Sequence, residues 1–559
     1  MNRVLGVSGL LGMLLLSAPV AEGAVANTLH NLSATGPGVV KAPGVGEICV
    51  FCHTPHSASA TRALWNRDLP PVVYNLYSSS TLEATLNQPT GASRLCLSCH
   101  DGTTALGSLR VSPATGPVTL GPLAGRASLG TDLSDDHPVS FVYDSPLALK
   151  QGQLAEPAAV PGAIPRDSTQ QMQCTSCHEP HDDRYRKFLR VDDRGAALCT
   201  TCHRQRSWAG STHATSSATW NGTGTNPWPA SPYTTVTDNG CESCHRPHSA
   251  PHPPRLLSSA QEREVCLVCH SGTVASKALD TEFLKSSAHP ITSTEWAHQP
   301  REDPNIMPRH VACEDCHNPH QAAATPASPP TASGRVRGVR GVTISGSTVA
   351  EATYEYEVCL KCHGILDQTT PGAVRQDNTR NIRLQISPSN ASYHPIAAAG
   401  RNTTIQGLLP GYTVASIIYC TDCHNNDEWT PAGPRPRGPH GSRFQPILQQ
   451  AFQQLDPTTE SPAAYALCYN CHDRTTLLGS GRFPHRLHVV EQRASCAVCH
   501  SVHGSRQNAH LINFMLRDRT GKVVVSANSG GLIQFVSTTP GRGSCSLSCH
   551  GRNHNALSY

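Results

Sequence analysis

Apolar positions along this chain of 559 residues rarely sustain a helical or strand period, and the runs that do are short. The longest, Val4 to Leu16, follows Arg3 and precedes small residues that continue to Ala26. It falls short of the ~20 residues a spanning helix needs. A basic start, apolar middle and small-residue end make residues 1–26 a secretory leader. No later run is long and apolar enough to span a membrane. Brief apolar lead-ins such as "DDRGAALCTTCH" and "PAAYALCYNCHD" predict short helices running into a recurring cysteine motif. "GKVVVSANSGGLIQFVS" (Gly521 to Ser537) predicts two strands around an Asn-Ser-Gly-Gly turn. "TISGSTVAEATYEYE" (Thr343 to Glu357) predicts a hairpin or a strand running into a helix. The stretches 101–173 and 321–355, rich in glycine, proline, serine and alanine, read as wrapping and linking segments. The fold class that follows is mostly irregular, with short α-helices and a few β-hairpins.

Composition makes that picture a problem. Hydrophobic residues are 38% and aromatics 5%, beside 44 glycines and 44 prolines, a thin supply for a core. The 24 cysteines offer another kind of core. They form twelve pairs, and each second cysteine is followed at once by histidine. The first four sets are Cys49, Cys52, His53; Cys96, Cys99, His100; Cys174, Cys177, His178; and Cys199, Cys202, His203. The next four are Cys241, Cys244, His245; Cys266, Cys269, His270; Cys313, Cys316, His317; and Cys359, Cys362, His363. The last four are Cys420, Cys423, His424; Cys468, Cys471, His472; Cys496, Cys499, His500; and Cys545, Cys549, His550. All twelve are taken as Cys-x-x-Cys-His, the c-type haem attachment sequence. Positions i, i+3 and i+4 share one face of a helical turn. Two thioethers can then hold the porphyrin edge while the histidine reaches the iron. A redox dithiol or a zinc knuckle leaves that following histidine unexplained. Twelve covalent haem c groups would replace much of the side-chain core.

The formal charge of +4 is outweighed by the propionates that so many haems would bring, which excludes nucleic acid as a partner. "RPRGPHGSR" (Arg435 to Arg443) reads as a solvated loop or a partner for a propionate.

Four motifs take the longer form Cys-x-x-Cys-His-x-Pro-His: "CVFCHTPH", "CTSCHEPH", "CESCHRPH" and "CEDCHNPH". "CAVCHSVH" keeps the second histidine without the proline. Alternation with the plainer motifs suggests six doubled units, beginning at Cys49, Cys174, Cys241, Cys313, Cys420 and Cys496, arranged as a linear array. Residues 27–165 would hold the first unit and its long loop, and 166–300 the second and third. The fourth falls in 301–410, and the fifth and sixth in 411–559.

The twelve histidines of the motifs are the expected proximal ligands, leaving eighteen of the 30 for the far side of the irons. Methionine, the usual competitor, is scarce: outside the leader only Met172, Met307 and Met515 remain. Bis-histidine ligation is the economical reading. His56, His181, His248, His320 and His503 lie three residues beyond a proximal histidine, too near to reach the far side of the same haem. Each is expected to serve a neighbouring haem, with proline stiffening the backbone where it is present. A second class comprises His137, His213, His289, His394 and His485 or His488. His30 and His440 complete the set, His440 standing in for the second histidine that "CTDCHNND" lacks. His554, in "CHGRNH", is a further candidate.

"CVFCHTPHSAS", "CLSCHDGT" followed by "DHPVSF", "FPHRLH" followed by "CAVCHSVHGS", and the closing "GSCSLSCHGRNHNALSY" together resemble the multihaem c-type cytochromes with doubled motifs found in metal-reducing bacteria and their relatives. The resemblance covers nearly all of the chain beyond the leader. It implies an exported conduit in the periplasm or at the cell surface, with redox proteins, an outer-membrane conduit among them, as donors and acceptors. Some relatives form haem filaments, and His30 would be a natural donor to a neighbouring subunit. The residues themselves leave two functions in play: electron carriage by haem-to-haem hopping without substrate chemistry, and a reductase with one open haem acting on a small nitrogen or oxyanion substrate.

Overall fold

One helical turn is the recurring element, because each attachment motif needs no more than that and stops at its histidine. The computed structural model describes residues 24–559 apart from 60–62, 292–301, 304–309, 365–371, 404, 480 and 540. All but the last three residues of the expected leader, and Met307 with them, lie outside the described residues. Among those described, no helix is long and apolar enough to cross a membrane.

Motifs with an apolar lead-in continue the turn backwards into longer helices, Gly91–His100, Glu262–His270 and Glu355–His363. The last buries Tyr356, Val358 and Leu360. The lead-ins before Cys199 and Cys468 give only the short helices Ala197–Thr200 and Ala466–Tyr469. Motifs without a lead-in form single turns, Cys49–Phe51, Cys174–Cys177, Gly240–Ser243, Cys313–Asp315, Cys420–Asp422 and Cys496–Cys499.

Two compact bodies divide the chain, one made of residues up to 78, 82–193 and 197–203, the other of 79–81, 194–196 and 204–559. In the first, the stretch expected to be a linker is instead packed. Tyr143, Leu147, Ile164 and Met172 form a buried cluster, and the strands Phe141–Val142 and Gln171–Met172 pair antiparallel. The helix Ser145–Gln151 is capped by Asp144, whose carboxylate accepts from the Leu147 amide at 2.9 Å, and ends at Gly152 with φ +74°. Glycine and serine content misled because turns, rather than flexibility, account for it.

In the second body both expected forms are present at and around the stretch 343–357. Gly341–Val342 pairs with Thr348–Val349 as a hairpin, and the helix Glu355–His363 follows. The largest apolar cluster lies near the C-terminus, around Phe514, Met515, Val525, Phe535 and Leu547. It underlies a small antiparallel sheet of β1 (Val525–Ser526), β2 (Gln534–Thr539), β3 (Arg542–Cys549) and β4 (Arg552–Ser558). The two strands expected within 521–537 are present as β1 and β2, but they pair with β3 rather than with each other. The strands of this sheet missed by sequence are β3 and β4, β3 because its cysteines resemble the helical motif.

Candidate functional site: paired histidines along the chain

Eleven of the twelve motifs share one backbone device. The histidine amide donates to the carbonyl of the first cysteine, as from His53 to Cys49 at 2.8 Å, His178 to Cys174 at 2.9 Å and His424 to Cys420 at 2.9 Å. This i to i−4 bond closes the turn and brings both thiols and the imidazole to one side. The twelfth set departs from the expected form. Ser546, Leu547 and Ser548 separate Cys545 from Cys549, one residue more than Cys-x-x-Cys allows, and the segment is a strand.

The imidazoles meet in pairs. His53 faces His181 (ring centroids 6.2 Å apart), His245 faces His320 (6.1 Å), His317 faces His440 (6.2 Å) and His424 faces His503 (6.1 Å). In these four the rings are nearly parallel, with interplanar angles of 21°, 8°, 16° and 16°. A second set is steeply inclined. It comprises His30 with His100 (6.1 Å, 67°), His137 with His203 (6.1 Å, 83°), His213 with His270 (6.2 Å, 89°) and His289 with His363 (6.4 Å, 56°). Two imidazoles bound to one metal through bonds of about 2 Å, with ring centres set ~1 Å further back, would have centroids about 6 Å apart. The spacing fits an iron between them.

Two further proximal histidines have a histidine as electrostatic neighbour. His394 acts on His472 and His485 on His500; burial first, then these neighbours, holds His472 and His500 down at about 4. His178 lies in the first body, its Nδ1 2.8 Å from the Lys187 carbonyl. His248 is exposed in the second, and His56 is exposed in the first.

The rings are oriented by their far nitrogens. Nδ1 of His53, His100, His245 and His317 lies 2.6, 2.7, 2.8 and 3.0 Å from the carbonyls of Ala63, Ala127, Arg255 and Arg335. A carbonyl only accepts, so Nδ1 carries the proton and Nε2 presents its lone pair, the arrangement of a metal-binding imidazole. On the opposite rings a rule emerges. His30, His213 and His289 donate to the carbonyls of Pro180 (2.9 Å), Pro319 (2.9 Å) and Pro439 (2.8 Å), and His394 donates to that of Val502. Each acceptor immediately precedes a member of the parallel set: His181, His320, His440 or His503. Pro439-His440 therefore occupies the place that Pro-His holds in the longer motifs. Met172 and Met515 are buried in apolar clusters.

The thiols stand where thioether sulfurs would stand, and they follow one another in chain order. In the first body Cys52 lies near Cys99, Cys96 is hydrogen-bonded to Cys174, and Cys177 lies near Cys202. In the second, Cys244 neighbours Cys269, the Cys266 thiol is hydrogen-bonded to Cys313, Cys316 neighbours Cys359, and the Cys359 thiol is hydrogen-bonded to Cys420. Cys423 then neighbours Cys471, Cys468 neighbours Cys496, and Cys499 neighbours Cys545 and Cys549.

A residue that sequence reasoning did not reach supports the same fit. Arg67 is fully buried, donating to the carbonyls of Leu106 (2.7 Å), Ser98 (3.0 Å) and Ala105 (2.8 Å), while its Nε has no partner. It acts electrostatically on Cys52 and Cys99. A buried guanidinium held only by neutral carbonyls calls for an anion, and a haem carboxylate at these two sites would supply one.

Residues 168–207 and 234–275 match the family described as doubled CXXCH motif, covering the units that begin at Cys174 and Cys241. No curated protein matches the chain.

Proposed function

Taking the chain as a multihaem c-type cytochrome, as its doubled CXXCH motifs support, we propose that it is an exported dodecahaem electron carrier in which charge hops from haem to haem. Bound haem supplies the one-electron iron couple. The polypeptide supplies placement, two imidazoles per iron, and exclusion of water. The proposed axial pairs are the eight facing pairs above, with His472–His394 and His500–His485. His178 is the proximal ligand of the third haem. The observation that carries this reading is the ring spacing of 6.1 to 6.4 Å in the eight facing pairs. Two capped faces leave no room for a substrate. Adjacent thiols in sequence order support an ordered relay within each body, from the first site to the fourth and from the fifth onward.

His30 opposes His100 of its own chain, so the idea that it reaches a neighbouring subunit finds no support in its placement. Redox proteins outside the cytoplasm are the proposed partners. The test is low-temperature electron paramagnetic resonance of the oxidised holoprotein, with haem content measured on the same sample. Low-spin signals from all haems are expected. A high-spin signal amounting to one haem would overturn pure carriage and favour a reductase.

A further inference from the structure

The last attachment segment obeys none of the rules that the other eleven share. In a helical turn of 3.6 residues, the place four beyond the first cysteine is the one that lies beneath it. With one residue added after Cys545, that place is taken by Cys549, and His550 would be turned about 100° away. The chain resolves the conflict by abandoning the helix. β3 carries Cys545 and Cys549, and His550-Gly551 is the two-residue turn into β4, with Cys549 paired to Arg552. Both turn residues have positive φ, +48° and +74°, the form that matches the twist of a tight hairpin.

At that tip the His550 ring lies against Asp456. Its Nε2 is 2.8 Å from Oδ2 of a carboxylate whose side chain is only 3% exposed. The nitrogen an iron would need is thus engaged elsewhere. Four residues on, His554 sits in β4 opposite Leu547, its carbonyl held by Nδ2 of Asn528 at 2.9 Å. Its Nε2 lies 3.8 Å from the Cys549 sulfur, and its ring faces His488 with centroids 6.4 Å apart. That is the spacing of the other facing pairs. His488 is itself placed by Phe483, which stacks on it at 4.8 Å, and by the Pro484 carbonyl at 3.0 Å.

We propose that the twelfth haem is ligated by His488 and His554, and that His550, the residue directly after the cysteine, is a positioning residue that fastens the hairpin tip to Asp456. The proposal rests on the haem-carrier reading above and deepens it at one site.

The test uses the full chain, exported and loaded with haem, as wild type and as His554→Ala, His554→Met and His550→Ala. Intact mass gives haem number; paramagnetic resonance and the near-infrared charge-transfer bands give ligation. In His554→Ala an unchanged haem number is expected, with one haem converted to high spin. His554→Met should restore low spin with a new sulfur-to-iron band, and His550→Ala should keep every haem low spin. High spin in His550→Ala, an unaltered spectrum in both His554 variants, or a wild-type mass lacking a haem on the Cys545–Cys549 segment would each overturn the proposal. Failure of the carrier reading is distinguishable, because it would appear in the wild type as missing haems throughout or as an open iron before any substitution.

Discussion

Arg67 and His440 show how single side chains decide what the sites are. Arg67 holds three carbonyls at 2.7 to 3.0 Å in a buried place. Replacing it by methionine strands those acceptors at about 1 kcal/mol or more each and removes a positive charge near the first two sites. We expect a lower denaturation midpoint and, in a redox titration, a more negative potential for one or two haems. His440 was legible in the sequence only as a stand-in. Its ring lies against His317, and the residue before it accepts from His289. His440→Ala should therefore leave one haem high spin, whereas the same change at exposed His56 should not alter the spectrum. Nothing in "WNRDLP" distinguishes Arg67 from a surface arginine, since its role depends on carbonyls about 30 to 40 residues away.

Among the elements, the one-turn helix was the readable part, because the motif spacing itself dictates it. The pairing of elements was not. The contacts that order the opposite rings join residues 106 to 150 positions apart, His213 to Pro319 and His30 to Pro180 among them, and no local period reports such distances. The outcome is a division into near-parallel and steeply inclined pairs. Because the relative orientation of two axial imidazole planes sets how far the iron's dxz and dyz orbitals separate, the oxidised protein should show two low-spin resonance classes of comparable size. A single uniform signal would contradict that.

A polar element matters as well. Lys285 meets Glu282 at 2.6 Å and Asp427 at 2.8 Å, and both carboxylates are buried. Burial alone would lower the Lys285 ammonium and raise the Asp427 carboxyl, but their mutual bonds outweigh it and hold Lys285 above its usual value and Asp427 below. Lys285→Met should cost about 3 kcal/mol in chemical denaturation, the low end for breaking a buried pair because Arg435 and Arg443 remain. Asp427, with its depressed value, stabilises the fold above its unfolded pKa. That contribution is lost as pH falls through the lowered value, so the denaturation midpoint should begin to fall below about pH 4.

At the scale of the whole molecule, apolar side chains gather into several small clusters rather than one core. The expectation of an irregular, haem-centred array came from that scarcity together with the cysteine count. What it missed was the packing of 101–173, because composition does not reveal that turns can be ordered. If haem supplies the missing core, chain produced without haem attachment should be digested throughout by a protease at a concentration that leaves the loaded protein intact. A protected haem-free chain would show that the side chains suffice.

The facing rings carry one further consequence. Within each body, the parallel-set histidine is always lent backwards. His181 faces the histidine of the motif at Cys49, His320 that of the motif at Cys241, His440 that of the motif at Cys313, and His503 that of the motif at Cys420. The chain therefore has a direction, like overlapping roof tiles, and its two ends are not alike. At the leading end His56 is exposed, while at the trailing end His485 neighbours His500. If the facing rings are axial pairs, as proposed, a coding segment for one whole unit could be copied into the middle of the second body's series, and each iron there would still find two rings. Such a series could change its length by whole steps, while a break within a step would leave two neighbours incomplete.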